Sequence, residues 1–292
     1  MDGNGYYAYL PAFFIYHDLH FGFFDEIASR EGYENMAFEY RYDYEGNIIN
    51  KYYAGTAIAQ APFFLAAHLL SFIMGEPMDG YSLYYLVFIN IASLFYLMAS
   101  LILINKILHL YKIQPLNRAI SLVTLVFGTN LFYYSVYEPS MSHVYSLAFV
   151  SLFVYSIVSY FHSYENKYIF ISALSLGIIA LIRPANVLVV TAIPFLAGDW
   201  QTLKRGAAHI ITRPASILFS LLLLLIPILT QFVIYKIQTG HFWVYSYGEE
   251  RFYFNQPHII KMLFSYRKGL FIYTPLWFFS LGGLIDRDQL PF

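Results

Sequence analysis

The sequence predicts an all-α fold: a polytopic bundle of transmembrane helices with further helices lying at its outer face. Three observations lead there. Hydrophobic residues fill 59% of the 292 positions, while Asp, Glu, Lys and Arg fill only 12%, about half the charge of a soluble domain. Several uncharged runs reach the roughly 20 helical residues that cross ~30 Å of hydrocarbon. The charges that remain are segregated along the chain.

Residues 1–80 read as an outer-face unit and 81–292 as the bundle, with about seven spans. The first 52 residues hold nine of the eighteen acids against three bases, Arg30, Arg41 and Lys51. Ten tyrosines fall within the first 53 residues, more than aromatic belts at a bilayer surface require. Such rings either stack on a sugar or pack over a surface loop. Residues 53–74 are apolar but interrupted by Gly55, Gln60, Pro62 and His68. If this run crossed, the N-terminal segment would face away from the other polar loops, so it is expected to lie in the interface or dip partway in. The spans follow at 81–104, 119–137, 142–161, 215–235 and 269–285, with a shorter pair, 168–182 and 185–198, meeting at Arg183-Pro184.

Charge orients these spans. The 105–118 loop carries Lys106, Lys112 and Arg118, and the 199–213 loop carries Lys204, Arg205 and Arg213. Basic loops stay cytoplasmic. The turn around Glu138, the turn at Arg183-Pro184 and residues 236–268 then face outward with the N-terminal segment. A net charge of -1, no basic tail and no zinc-type spacing leave no case for a nucleic-acid partner. Cysteine is absent, which removes disulfides and thiolate chemistry. No Gly-rich nucleotide cradle is present, which disfavours a nucleotide-sugar enzyme.

Several blocks occur in a telling order: Asp2-Gly3-Asn4-Gly5-Tyr6-Tyr7, Asn50-Lys51-Tyr52-Tyr53-Ala54-Gly55 running into Ala61-Pro62-Phe63-Phe64, and Gly128-Thr129-Asn130-Leu131-Phe132-Tyr133-Tyr134. Glu138-Pro139-Ser140-Met141-Ser142-His143, Arg183-Pro184-Ala185-Asn186 and Ser265-Tyr266-Arg267-Lys268-Gly269-Leu270-Phe271 follow. The set resembles bacterial GT-C glycosyltransferases, multi-spanning enzymes similar to mannosyltransferases and dolichyl-phosphate-mannose-protein transferases. The resemblance implies a GT-C-like bundle in the bacterial cytoplasmic membrane with its active side outward. It implies transfer of a sugar from a polyprenyl-phosphate donor, beside membrane lipid, to an extracytoplasmic glycan, lipid or protein acceptor. In that class a first transmembrane helix precedes the catalytic acid and further spans follow, so the chain reads as truncated at both ends.

On this resemblance Asp2 is the candidate catalytic base, since a lipid-phosphate sugar has a good leaving group and the acceptor hydroxyl must be deprotonated. The neighbouring Gly-x-Gly would let the backbone approach a ligand closely. A phosphate demands cations, and Arg183 leads because an arginine between two apolar segments is costly unless paired or phosphate-bound. Its fork can hold two phosphate oxygens; the alternative is an ion pair with Glu138. Lys51 with Tyr52, and Arg267 with Lys268, come next, although such a basic pair also anchors helix ends at headgroups. His143 either shares a proton with Asp2 or caps the following helix with Ser142, and Glu138 frames the same turn. Tyr6, Tyr7, Tyr247 and Glu249 complete the expected substrate contacts. No cofactor is expected; a divalent ion held by Asp2, Glu138 and His143 is the variant to weigh, though no Asp-x-Asp pair accompanies them. The rival readings are a transporter or flippase for a lipid-linked sugar and a non-catalytic membrane assembly subunit.

Overall fold

The structure, a computed structural model, describes residues 2–30, 39–248, 255–267 and 269–278. It is mostly helical, and four helices are long and apolar enough to cross a membrane: Gly55–Met74, Leu83–Leu110, Ser142–Ser163 and Pro214–Thr239. Length and apolarity together mark a membrane protein.

The chain begins with α1 (Asp2–Phe14), a helix containing Gly3, Gly5 and Pro11. These residues weaken a helix interior, and burial of every residue from Tyr6 to Ala12 supplies what propensity lacks. A short α2 (Phe24–Ala28) leads toward a hairpin of β1 (Arg41–Tyr44) and β2 (Asn47–Asn50), with Arg41 opposite Asn50 and Tyr44 opposite Asn47. Its turn places Glu45 and Gly46 at φ of 53° and 83°, the left-handed pair that a two-residue hairpin turn demands. The hairpin is seated by Ile49, which packs with Tyr235 and Val244.

α3 (Gly55–Met74) ends at Gly75, where φ is 71°, a left-handed stop that glycine adopts without strain. α4 (Leu83–Leu110) is followed by α5 (Pro115–Phe127), α6 (Leu131–Val136), α7 (Ser142–Ser163) and α8 (Asn166–Ile182). A 3-10 segment, Pro184–Ala192, then leads through α9 (Ile193–Leu196) and α10 (Trp200–Ile211) into α11 (Pro214–Thr239). The short α12 (Ile259–Phe264) and α13 (Leu270–Tyr273) close the described chain.

α7 is the most buried of the four long helices. Its buried residues include small hydroxyl residues on more than one side, Ser142, Ser146, Ser151, Ser156 and Ser159, which let neighbouring helices approach closely. α8 meets α11 in the same way at Gly177, where a Cβ would stand 2.4 Å from the Leu224 carbonyl oxygen.

Ring and hydrogen-bond pairings set the axial register. Tyr96 meets Tyr145 at 5.1 Å, and Lys106 lies over Tyr155 at 5.7 Å. α4 and α7 therefore run parallel, and His143 is level with the middle of α4. α3 pairs only with the earlier half of α4: the Tyr96 hydroxyl donates to the Ala59 carbonyl at 2.9 Å, and His68 and Tyr85 are hydrogen-bonded at 2.6 Å. So α3 and the first turns of α4 extend beyond the His143 layer, away from Lys106.

Several expectations need revision. Residues 119–137 form two helices, broken at Gly128-Thr129-Asn130. A Cβ on Gly128 would sit 2.0 Å from a Leu276 methyl, and the Thr129 hydroxyl donates back to Leu125. The 185–198 segment is a 3-10 run rather than a full α-helix, opened by Pro184 and rich in β-branched residues that resist helix formation. Of 269–285, the described part contains only α13, stopped before Pro275. Residues 55–74, expected at the interface, form an unbroken 20-residue helix of spanning length; the register above ties it to the far half of α4.

Candidate functional site

Asp2 opens α1, an exposed acid in the first turn, where the helix dipole favours a carboxylate. The two following glycines fix where it points. A Cβ on Gly3 would lie 2.2 Å from the Ser140 hydroxyl, and one on Gly5 would lie 2.3 Å from the Tyr52 ring. The Gly-x-Gly element thus brings α1 against the Glu138–Met141 turn and against Tyr52. Its close approach serves the chain itself, not a ligand.

Tyr52 follows the hairpin and is locked from several directions. Asn50, fully buried, donates to the Gly5 carbonyl at 2.7 Å and accepts from the Tyr52 amide at 2.9 Å. The Tyr9 hydroxyl donates to the Tyr52 carbonyl at 2.8 Å. The Tyr6 ring lies 4.6 Å from that of Tyr52, and the Asp2 carboxylate acts on the Tyr52 phenol. Burial first, then the neighbouring Asp2 carboxylate, hold the Tyr52 phenol well above its usual pKa. It stays neutral beside the acid.

Lys51 is fixed through its backbone: Ser246 donates to its carbonyl at 2.8 Å, and Tyr235 donates to Ser246 at 3.1 Å. Its ammonium stands 5.9 Å from the Tyr52 ring and 5.8 Å from the Tyr247 ring, within cation–π range. Tyr247 also meets Tyr52 and Tyr53 at 6.4 and 6.0 Å. Its phenol is raised by burial and by the neighbouring tyrosines, against the field of Arg183.

Arg183 sits between α8 and the 3-10 run on extended backbone, exposed. Its guanidinium donates to His143 Nε2 at 3.3 Å, while Asn186 donates to the Ser146 hydroxyl at 2.6 Å. The spacing 183/186 thus grips the same face of α7 as 143/146. Tyr134 stacks flat on the His143 ring at 3.8 Å. With Nε2 accepting from Arg183, the ring proton belongs on Nδ1, which is buried and without a hydrogen-bond partner among the described residues. Both Arg183 and Asp2 act electrostatically on His143.

The arrangement is a ring of Asp2, Tyr52, Tyr247, Arg183 and His143, with Tyr6, Tyr134 and Lys51 behind it. No ion pair joins Asp2 to Arg183, and Arg183 forms none with Glu138. Asp2 and Arg183 are thus not neutralised by one another, and both are exposed. Comparisons of the chain with protein-family models, curated proteins and solved structures return no match.

One expected residue lies elsewhere. Tyr7 is buried against Phe64 and Tyr81, and its hydroxyl donates to the Gly80 carbonyl; one residue along a helix turns it away from the face that Tyr6 occupies. Arg267 is exposed in the turn after α12, where its amide bonds the Ser265 hydroxyl. Glu138 is partly exposed on the turn that Gly3 touches. Glu249 and Lys268 fall outside the described residues. No group of three His, Asp or Glu side chains suited to a metal ion occurs among the described residues, so Asp2, Glu138 and His143 form no such set. Asn50, Tyr134, Ser140 and Ser246 were not singled out from the sequence. The first three stand within the blocks that carry the resemblance, beside candidates such as Lys51, while nothing in the sequence marks Ser246.

Proposed function

We propose that this chain transfers a glycosyl group from a polyprenyl-phosphate donor to an acceptor outside the bacterial cytoplasmic membrane, as a GT-C-like enzyme. The observation that carries this reading is the meeting of Asp2 with Arg183 and Lys51, from three distant segments, around His143 and paired tyrosines. That meeting lies at the end of the bundle remote from Lys106, which charge distribution assigns to the exterior.

Each group has a task. Asp2 accepts the proton of the acceptor hydroxyl, whose oxygen attacks the anomeric carbon. The bond from that carbon to the phosphate oxygen breaks, and its electron pair remains on the phosphate. Arg183 and Lys51 meet the charge that develops there. Tyr52, backed by buried Tyr6, adjoins Asp2, and Tyr247 offers a face and a hydroxyl to the sugar.

A second feature supports a lipid-borne donor. An apolar groove of about 540 Å³ runs between α1, α3 and α11, lined by Tyr9, Phe13, Ala54, Ile58, Val233 and Ile237. It shares Tyr9 and Ala54 with the wall behind Tyr52, so a hydrocarbon tail lying there keeps its phosphate near the ring of site residues.

The test is transfer from a synthetic polyprenyl-phosphate sugar by the protein in liposomes and by its Asp2→Asn variant. Donor turnover is expected from the first and a loss of about 10²–10⁴-fold from the second. Equal rates would remove Asp2 as the base. Movement of intact donor across the bilayer without transfer would favour the flippase reading instead.

A further inference from the structure

At the opposite end of the bundle, α10 lies across the ends of its neighbours. Gly206 packs on Phe161, where a Cβ would meet the ring at 2.8 Å, and His209 contacts Tyr160 and Tyr164. Its N-terminus adjoins residues 110–112 at the end of α4, and Arg213, just past its C-terminus, donates to Asn166 at the start of α8. One face is thus held by the bundle.

The other face is unusual for a surface helix. Trp200, Ala207 and Ile211 share it at helical spacing, with Trp200 at 65% and Ile211 at 71% exposure. Lys204 stands on the same side, its ammonium 5.3 Å from the Trp200 ring, and exposed Arg205 flanks it. The single acid of this stretch, Asp199, is spent on capping: it accepts from the Gln201 and Thr202 amides and the Thr202 hydroxyl at 2.8, 2.9 and 2.6 Å. Asp199 thus faces three bases, Lys204, Arg205 and Arg213, which leaves an excess of positive charge. Arg205 also donates to the Gln201 carbonyl and the Thr202 hydroxyl at 3.4 and 3.3 Å, and Lys112 and Arg118 belong to the neighbouring loop.

We infer that α10 is an in-plane membrane anchor whose occupant is the anionic phospholipid of the cytoplasmic leaflet. Trp200, Ala207 and Ile211 sit at the boundary of headgroups and acyl chains, and Lys204 and Arg205 bind lipid phosphates. An exposed apolar stripe edged by bases fits such a surface by both area and charge. A neutral membrane satisfies only the stripe, and bulk water satisfies only the bases. This inference is independent of the catalytic reading, because nothing in it involves Asp2 or a sugar.

Fluorescence quenching tests it. The full chain carries three tryptophans; a Trp243→Phe, Trp277→Phe background leaves Trp200 as the reporter. In mixed vesicles, brominated phosphatidylglycerol is expected to quench Trp200 in preference to brominated phosphatidylcholine, by about fivefold per engaged cation. Lys204→Gln with Arg205→Gln should abolish the preference and leave quenching by both lipids. In the chain with both bases intact, raising the salt should shrink the preference, a control that needs no further substitution. Equal quenching by the two lipids, a preference indifferent to salt, or quenching by aqueous acrylamide and neither lipid would each overturn the inference.

Discussion

Substituting Gly5 by alanine tests how tightly α1 and Tyr52 are matched. The added methyl would lie 2.3 and 2.6 Å from two Tyr52 ring carbons and 2.8 Å from the Tyr40 Cβ. Ordinary contact begins at 3.4 Å, so the ring must retreat by 3.4 − 2.3, or 1.1 Å. It cannot retreat freely: Tyr9 and Asn50 hold its backbone, and Tyr6 stands 4.6 Å away. Overpacking of this kind costs about 1–3 kcal/mol, offset by roughly 1 kcal/mol from replacing a glycine within a helix. The net loss of stability is about 0–2 kcal/mol, a modest fall in the midpoint of thermal unfolding in detergent. The effect on turnover is expected to be larger. Tyr52 adjoins Asp2, and misplacing a catalytic group by about 1 Å can cost 10²-fold. Donor turnover measured beside the unfolding midpoint separates the two effects. Wild-type turnover in a folded Gly5→Ala protein would refute the role given to the Tyr52–Asp2 contact.

Other outcomes follow from the same geometry. Arg183→Lys keeps a charge but gives up the planar fork and the hydrogen bond it donates to His143. KM for the phosphate donor should rise about tenfold; an unchanged KM would remove Arg183 from the donor site. Asn50→Leu leaves the buried Tyr52 amide without its partner, at about 1–3 kcal/mol, removes the second bond to the Gly5 carbonyl, which keeps its helical one, and should lower the unfolding midpoint more than Gly5→Ala does. Tyr52 gives a pH signature. Its folded pKa is raised, so its contribution is fully present below the unfolded phenol value of about 10 and is lost as pH climbs toward the folded value. Stability followed from pH 9 upward should fall less steeply in Tyr52→Phe.

The membrane class was legible because it rests on composition and run length, which need no partner. The long apolar runs became the long helices for that reason. The break between α5 and α6 was not legible, since it depends on Leu276 filling the space beside Gly128, a contact between segments far apart in sequence. Among candidate residues, Arg183 could be found because a charge flanked by apolar segments must be answered by something. What answers it, His143 rather than Glu138, required the register of α7 against α8. Tyr6 and Tyr7 were inseparable as text; both are buried in one cluster, and only the helical rotation of α1 sets Tyr6 against Tyr52 and Tyr7 against Phe64 and Tyr81. Asn50 resembles any turn residue until its buried bonds are seen.

The parallel register of α4 and α7 also shapes access. α3 and the opening turns of α4 rise about 15 Å past the level of His143, whereas α6, α7 and α8 stop at it. The end of the bundle that carries Asp2 and Arg183 therefore has one tall bank and one low one, the low side being Ser140, Met141 and Arg183. On the proposed reading, donor and acceptor do not compete for a doorway: the hydrocarbon tail settles behind the tall bank, and the acceptor slides in across the low one.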